Sequence, residues 1–135
     1  MSVEKPFFDS NVLLYLISAD NARAEKAETL LTAGGVISVQ VLNEFASVAS
    51  RKSKLAWPVI SEVLATIRER CEVIPITVEI HESGLAIAER YGYSVYDSLI
   101  LAAASQAKCR TVYSEDMQNG QVVQGVTIRN PFSLR

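Results

Sequence analysis

The sequence predicts an α/β protein, a three-layer sandwich in which helices flank a central sheet of short parallel strands. Three observations lead there. Brief β-branched and aromatic runs alternate with longer segments whose apolar residues recur at helical spacing. The 135 residues, 49% of them hydrophobic, suit one domain with its own core. No internal repeat, linker or low-complexity stretch interrupts the alternation. Short strands separated by helices imply parallel pairing through right-handed crossovers.

The elements follow in order. Lys5 to Phe8 reads as a first strand, Asp9-Ser10-Asn11 as a capped junction, and Val12 to Ile17 as the helix after it. Asn21 to Ala33, rich in Ala, Glu and Lys, is a helix stopped by Gly34-Gly35. Val36 to Val39 is the second strand, with Ser38 as a cap for a helix over Gln40 to Ala49, where Val41, Leu42, Phe45, Val48 and Ala49 keep helical spacing. Trp57-Pro58 opens a helix running to about Arg70, since proline suits a first turn. Glu72 to Ile76 is a strand whose proline suits an edge or an end. Val78 to Tyr91 is a helix ending at Gly92, and Val95 to Ala107, capped by Ser94, is the least polar helix. Arg110 to Tyr113 is a strand, Ser114 to Gly120 a polar loop, and Val126 to Ile128 a last strand before Asn130-Pro131.

Composition narrows the function. The charge is near balance, 13 Lys and Arg against 15 Asp and Glu, which excludes disorder by charge and at first sight argues against a nucleic-acid partner. Two distant cysteines, Cys71 and Cys109, and one histidine, His81, fit neither a zinc site nor a disulfide framework. They read as reduced, buried thiols closing helices. The start MSVEKPFF lacks a signal-peptide core and no run is long enough to cross a bilayer, so the expected setting is cytoplasmic, without a membrane.

The chemistry is expected at strand-to-helix junctions, because ligands of such sheets bind beyond the carboxyl ends of the strands. Four acids fall there: Asp9 after the first strand, Glu44 about a turn and a half into the helix after the second, Asp97 three residues past Ser94, and Asp116 three past Tyr113. At about 100° per residue, Asp97 shares the helix face of Ile100, Leu101 and Ala104, and Glu44 lies at the border of the stripe of Val41, Phe45 and Val48. Each acid alone also suits an ordinary role. Asp97 fits a capping box with Ser94, Asp9 a helix cap, Glu44 a solvated face and Asp116 a turn. Their joint placement is what those roles leave unexplained. Carboxylates gathered on one rim raise one another's pKa unless a cation neutralises them, and hard oxygen ligands suit Mg²⁺ or Mn²⁺.

The segments FFDSNVLLYL, VLNEF, AERYGYSVYDSLILAAA and VYSEDMQNG, from about Pro6 to Gly120, together resemble the PIN-domain ribonuclease family, in particular the VapC-type toxins of bacterial toxin–antitoxin pairs. The resemblance implies a PIN-like fold and puts the family's acidic tetrad on Asp9, Glu44, Asp97 and Asp116. It puts the accompanying hydroxyl and amide positions on Ser10, Asn11 and Ser114. Serine replaces the frequent threonine at positions 10 and 114, and Glu115 adjoins the fourth acid.

What this implies is a Mg²⁺-dependent endoribonuclease, with Mn²⁺ as the other candidate ion. Asp9 and Asp97 would be principal ligands, Glu44 and Asp116 would complete the site, and activated water would cut the phosphodiester to leave a 5′-phosphate and a 3′-hydroxyl. A small antitoxin and a homodimer are the implied partners. Arg51-Lys52-Ser53-Lys54, and secondarily Lys108 and Arg110, are candidates to hold the RNA backbone, and Tyr91, Tyr93 and Tyr96 to stack a base. A D-x-D phosphatase is excluded by Asn11, and a signalling receiver lacks its paired acid and its lysine. A PIN-like module that binds RNA or protein without cutting is the alternative reading. The charge objection weakens once the four acids are set apart, since eleven acids then face thirteen basic residues.

Overall fold

In the computed structural model, which describes residues 4–133, the strands are β1 (Phe7–Phe8), β2 (Gly35–Ser38), β3 (Cys71–Ile74), β4 (Thr111–Tyr113), β5 (Val122–Val123) and β6 (Val126–Arg129). The helices are α1 (Ser10–Leu13), continued by a 3-10 turn over Leu14–Ile17, then α2 (Asn21–Ala33), α3 (Val39–Arg51), α4 (Trp57–Arg70), α5 (Val78–Tyr91) and α6 (Val95–Gln106). The strands form one sheet in the order β3-β2-β1-β4-β6-β5. Every pair is parallel except β5 with β6. The sequence-predicted α/β sandwich is therefore the fold, with an antiparallel edge.

The centre of the sheet is its most apolar part. Phe7 and Phe8 are fully buried, and so are Ile37 on β2 and Val112 on β4. The least polar helix, α6, buries every residue from Ser98 to Ala104 and lies close to β2, β4 and β6. Its long contact is with α5, and Gly84 permits it: a Cβ there would meet Leu99 Cδ2 at 2.7 Å. The capped starts of α5 and α6 are as the sequence suggests, with Thr77 accepting from the N–H of Ile80 and Ser94 from that of Asp97.

Three details differ. Strand β5 was not expected; Val122-Val123 folds back on β6 through Gln124-Gly125, both at positive φ (50° and 82°), the backbone of a tight hairpin turn without its usual Asn-Gly signal. The helix after Asp9 starts at Ser10 and tightens into the 3-10 turn instead of running from Val12 to Ile17. Ser38 stands at the N-cap of α3 as expected, but its side chain makes no capping bond. It is still paired in the sheet opposite Ile74 and wholly buried, so its hydroxyl faces the interior, without a partner among the described residues.

Cys71 ends α4 and Cys109 follows α6; both are free and buried, and burial pushes each thiol up to about 11, which keeps them protonated. Among the described residues no helix is long and apolar enough to cross a membrane.

Gly35 fixes how closely β1 and β2 approach. A Cβ there would fall into the Phe8 ring and 2.8 Å from Pro6 O, the carbonyl that accepts the N–H of Val36. Phe8 cannot retreat, being wholly buried, and Pro6 O is held by its bond from the N–H of Val36. Gly35→Ala is expected to destabilise the fold by about 3 kcal/mol, read as a shift in the urea midpoint, and Phe8→Leu should recover part of that loss in the double variant. A midpoint unchanged from the parent would contradict the packing described.

Candidate active site

Strand order reverses at β1. Strands β2 and β3 extend to one side of it and β4 and β6 to the other, which opens a crevice at the carboxyl ends of β1 and β4. Asp9 stands in that crevice, one residue beyond β1, and its N–H donates to Tyr113 O at the end of β4 (3.0 Å). The two strands thus deliver Asp9 and Ser114 side by side.

Asp9 is only 3% exposed. Its Oδ1 accepts from the N–H of Ser10 at 2.7 Å, and its Oδ2 accepts from Ser114 Oγ at 2.9 Å and from Asn11 Nδ2 at 3.3 Å. A carboxylate offers about four lone-pair sites, so these three donors leave room for a further electrophile. Burial drives the Asp9 pKa up to about 7, and the charges of Glu44 and Asp97 add to the rise, while the Ser114 and Ser10 bonds oppose it. Ser114 is a junction: its hydroxyl donates to Asp9 and accepts from Asn11 Nδ2 (3.3 Å) and from the N–H of Asp116 (3.2 Å).

The other acids approach from three elements. Glu44 is half-buried on α3; one of its oxygens accepts from Ser10 Oγ and the other from Gln40 Nε2, each at 3.1 Å. Asp97 is half-buried in the first turn of α6, and its carboxyl is raised first by burial and next by the charge of Asp116. Asp116 lies exposed on the loop after β4. Electrostatically the four form a series, Glu44 and Asp97 acting on Asp9, and Asp116 acting on Asp97. Among the described residues no three acidic, histidine or cysteine side chains stand close enough together to hold a metal ion as they are arranged here.

The chemistry of the donors nevertheless suits a hard cation. The donors are hard oxygens, one of them forced into a desolvated position where its charge is unfavourable without a cation. An open set of carboxylates completed by water and substrate oxygens is how Mg²⁺ is usually held.

Sequence reasoning missed Gln40. Its amide donates to Glu44 and also to Tyr96 O (3.0 Å), tying α3 to the start of α6. The i, i+4 spacing of Gln40 and Glu44 was the available signal. Beside them runs a groove of about 840 Å³, with Gln40, Glu44, Ser47 and Arg51 of α3 on one wall and Ile76 and Tyr96 on the other. Arg51, Lys52 and Lys54 are exposed and form no ion pair among the described residues. Lys108 and Arg110 do not join them. Both precede β4, at the amino end of the sheet opposite Asp9, and Arg110 pairs with Glu4 at 3.1 Å. Tyr96 is 65% exposed, whereas the Tyr93 hydroxyl is engaged by Gln118 and Gln121 of the Asp116 loop. His81 is exposed on α5.

Comparison with known proteins places this architecture. No curated protein is similar enough in sequence to count as a relative. Among solved structures, a toxin–antitoxin complex from Klebsiella pneumoniae superposes with a TM-score of 0.73 at 20% identity, covering 96% of this chain and 99% of that one. VapC20 of Mycobacterium tuberculosis, a toxin cleaving the sarcin–ricin loop, gives 0.67 at 22% identity over 82% of this chain and 88% of its own. VapBC2 of Rickettsia felis, bound to a DNA fragment from its promoter, gives 0.66 at 19% identity over 92% and 96%. At these identities the likeness is one of fold. The sequence profile of the PIN domain matches residues 7–119, from the first residue of β1 to the end of the Asp116 loop, and the chain belongs to the PIN domain family.

Proposed function

We propose that this protein is a Mg²⁺-dependent endoribonuclease, with Asp9, Glu44, Asp97 and Asp116 as its acidic site, and that it acts as the toxin of a toxin–antitoxin pair. The observation that carries the reading is Asp9: a buried carboxyl pushed up to about 7, at the switch point of the sheet, within reach of two further acids. Membership of the PIN domain family and the toxin folds it resembles support it.

Asp9 and Asp97 would hold the ion, with Glu44 and Asp116 completing or orienting the site directly or through water. When bound, a divalent ion supplies Lewis acidity, making water acidic enough to attack phosphorus and offsetting charge on the phosphate oxygens. The chain's own contribution is orientation. Ser10, Asn11 and Ser114 fix the Asp9 carboxylate, and Ser10 and Gln40 fix that of Glu44. Exposed Arg51, Lys52 and Lys54 provide the cations for the RNA backbone. Partners follow from the toxin reading: a small antitoxin that occupies the cleft, and a second copy of the chain as a homodimer, in a cytoplasmic setting.

The test is to sequence the RNA ends made by the purified protein with Mg²⁺, with EDTA, and with Asp97→Asn. Cleavage leaving 5′-phosphates is expected with Mg²⁺, with a loss of roughly a hundredfold or more for the variant and in EDTA. Undiminished cutting by folded Asp97→Asn, or in EDTA, would sink the assignment.

A further inference from the structure

Glu115 adjoins Asp116 but turns to different partners. Its Oε1 accepts the Tyr15 hydroxyl at 2.7 Å, its Oε2 lies 3.6 Å from Arg23 Nε, and its N–H donates to Asn11 Oδ1 at 3.1 Å. Arg23 is itself held in place. Its Nη1 is 3.0 Å from Asp20 Oδ2, and its guanidinium lies 5.6 Å from the Tyr15 ring centre and 5.7 Å from that of Phe132. Those two rings pack edge to face at 4.8 Å. The far side of the same loop is anchored as well, since Tyr93 Oη accepts from the N–H of Gln118 and donates to the Gln121 side chain.

Stability alone does not account for this construction. Partly exposed ion pairs such as Arg23 with Asp20 and Glu115 contribute little. What the contacts do fix is the loop at the residues on either side of Asp116, whose own side chain is exposed and whose N–H donates at 3.2 Å to Ser114 Oγ, the hydroxyl that donates to Asp9. We infer that Tyr15, Arg23 and Glu115 form a positioning clasp that turns the Glu115 side chain away and thereby keeps Asp116, and with it the Asp116 carboxylate, at the Ser114–Asp9 end of the site. This rests on the metal-site reading above, because the clasp matters to function only if Asp116 helps to hold an ion. Residues that orient metal ligands from outside are worth roughly ten- to a hundredfold in affinity or activity.

Tyr15→Phe is the informative variant, since it keeps the ring against Arg23 and Phe132 and removes one hydroxyl. Mn²⁺ affinity measured by calorimetry and kcat on RNA should each fall roughly tenfold, with KM for RNA and the melting temperature nearly unchanged. Glu115→Ala should reproduce the loss. In an Asp116→Asn background, Tyr15→Phe should cost nothing further, because there is no carboxylate left to position. Wild-type Mn²⁺ affinity in both Tyr15→Phe and Glu115→Ala, or the same fold loss with and without Asp116, would overturn the clasp while leaving the metal site standing. Failure of the unmutated protein to bind Mn²⁺ would overturn both.

Discussion

Asp9→Asn is expected to lower RNA cleavage by roughly a thousandfold or more, the loss of a principal ion ligand, and yet to make the cation-free protein more stable above pH 7. The two effects have one cause. In the fold the Asp9 carboxyl titrates near 7, against 3.8 for an ordinary aspartate, chiefly because it is buried. Below pH 3.8 the group is protonated whether the chain is folded or not, and it costs nothing. As pH rises from there to about 7, the native state keeps a proton that the unfolded chain releases, so this group's contribution to stability is progressively lost. Above 7 the folded protein carries a buried charge, at a cost on the order of 4 kcal/mol when no ion offsets it.

Asparagine removes that cost but gives up a carboxylate oxygen that Ser114 and Asn11 donate to, worth about 1 to 2 kcal/mol. The net gain at pH 8 is therefore expected to be on the order of 2 kcal/mol, with a small loss at pH 4. Urea denaturation in EDTA at both pH values reads it. Added Mg²⁺ should stabilise the unmutated protein at pH 8 and leave Asp9→Asn unmoved. A variant less stable by the same margin at both pH values would show that Asp9 carries no buried charge to relieve.

An acid directly after the apolar pair Phe7-Phe8, at the carboxyl end of the central strand, is poorly placed for a surface residue. The strand and helix pattern was legible because each element keeps its own period, and the placing of Asp9 and Asp116 just beyond β1 and β4 followed from it, whereas Glu44 lies within α3 and Asp97 begins a helix that follows α5 and not a strand. Contacts between distant segments were not legible. Tyr15 and Glu115 lie 100 residues apart, as do, nearly, Asn11 and Ser114, and no local pattern announces that they meet. The position of Lys108 and Arg110 was not legible for a related reason: charge in a sequence does not say which end of the sheet it will occupy. Ser38 holds the N-cap position of α3 without a capping bond, because the same residue is the last pair of the sheet and its hydroxyl is buried there. The hairpin of β5 and β6 was hidden by Gln124, which takes the left-handed conformation usually left to Asn or Gly.

Ser114→Ala should separate the orientation of Asp9 from its ionisation. The Ser114 hydroxyl is the largest influence holding the Asp9 pKa down against burial and against the charges of Glu44 and Asp97. Without it the pKa rises further, and more of the carboxyl stays protonated at any pH near neutrality. An ion requires the carboxylate, so cleavage should suffer more at pH 6 than at pH 8.5, and the rising limb of the pH–rate profile should move to higher pH. Loss of orientation is a separate, pH-independent deficit, because Asn11 and the N–H of Asp116 lose their shared acceptor. Together the expected drop is roughly a hundredfold at pH 6 and nearer tenfold at pH 8.5. Profiles of kcat/KM for both proteins between pH 5.5 and 9 are the measurement. A parallel drop at every pH would assign Ser114 to orientation alone, and a profile identical to the parent's would remove it from the site.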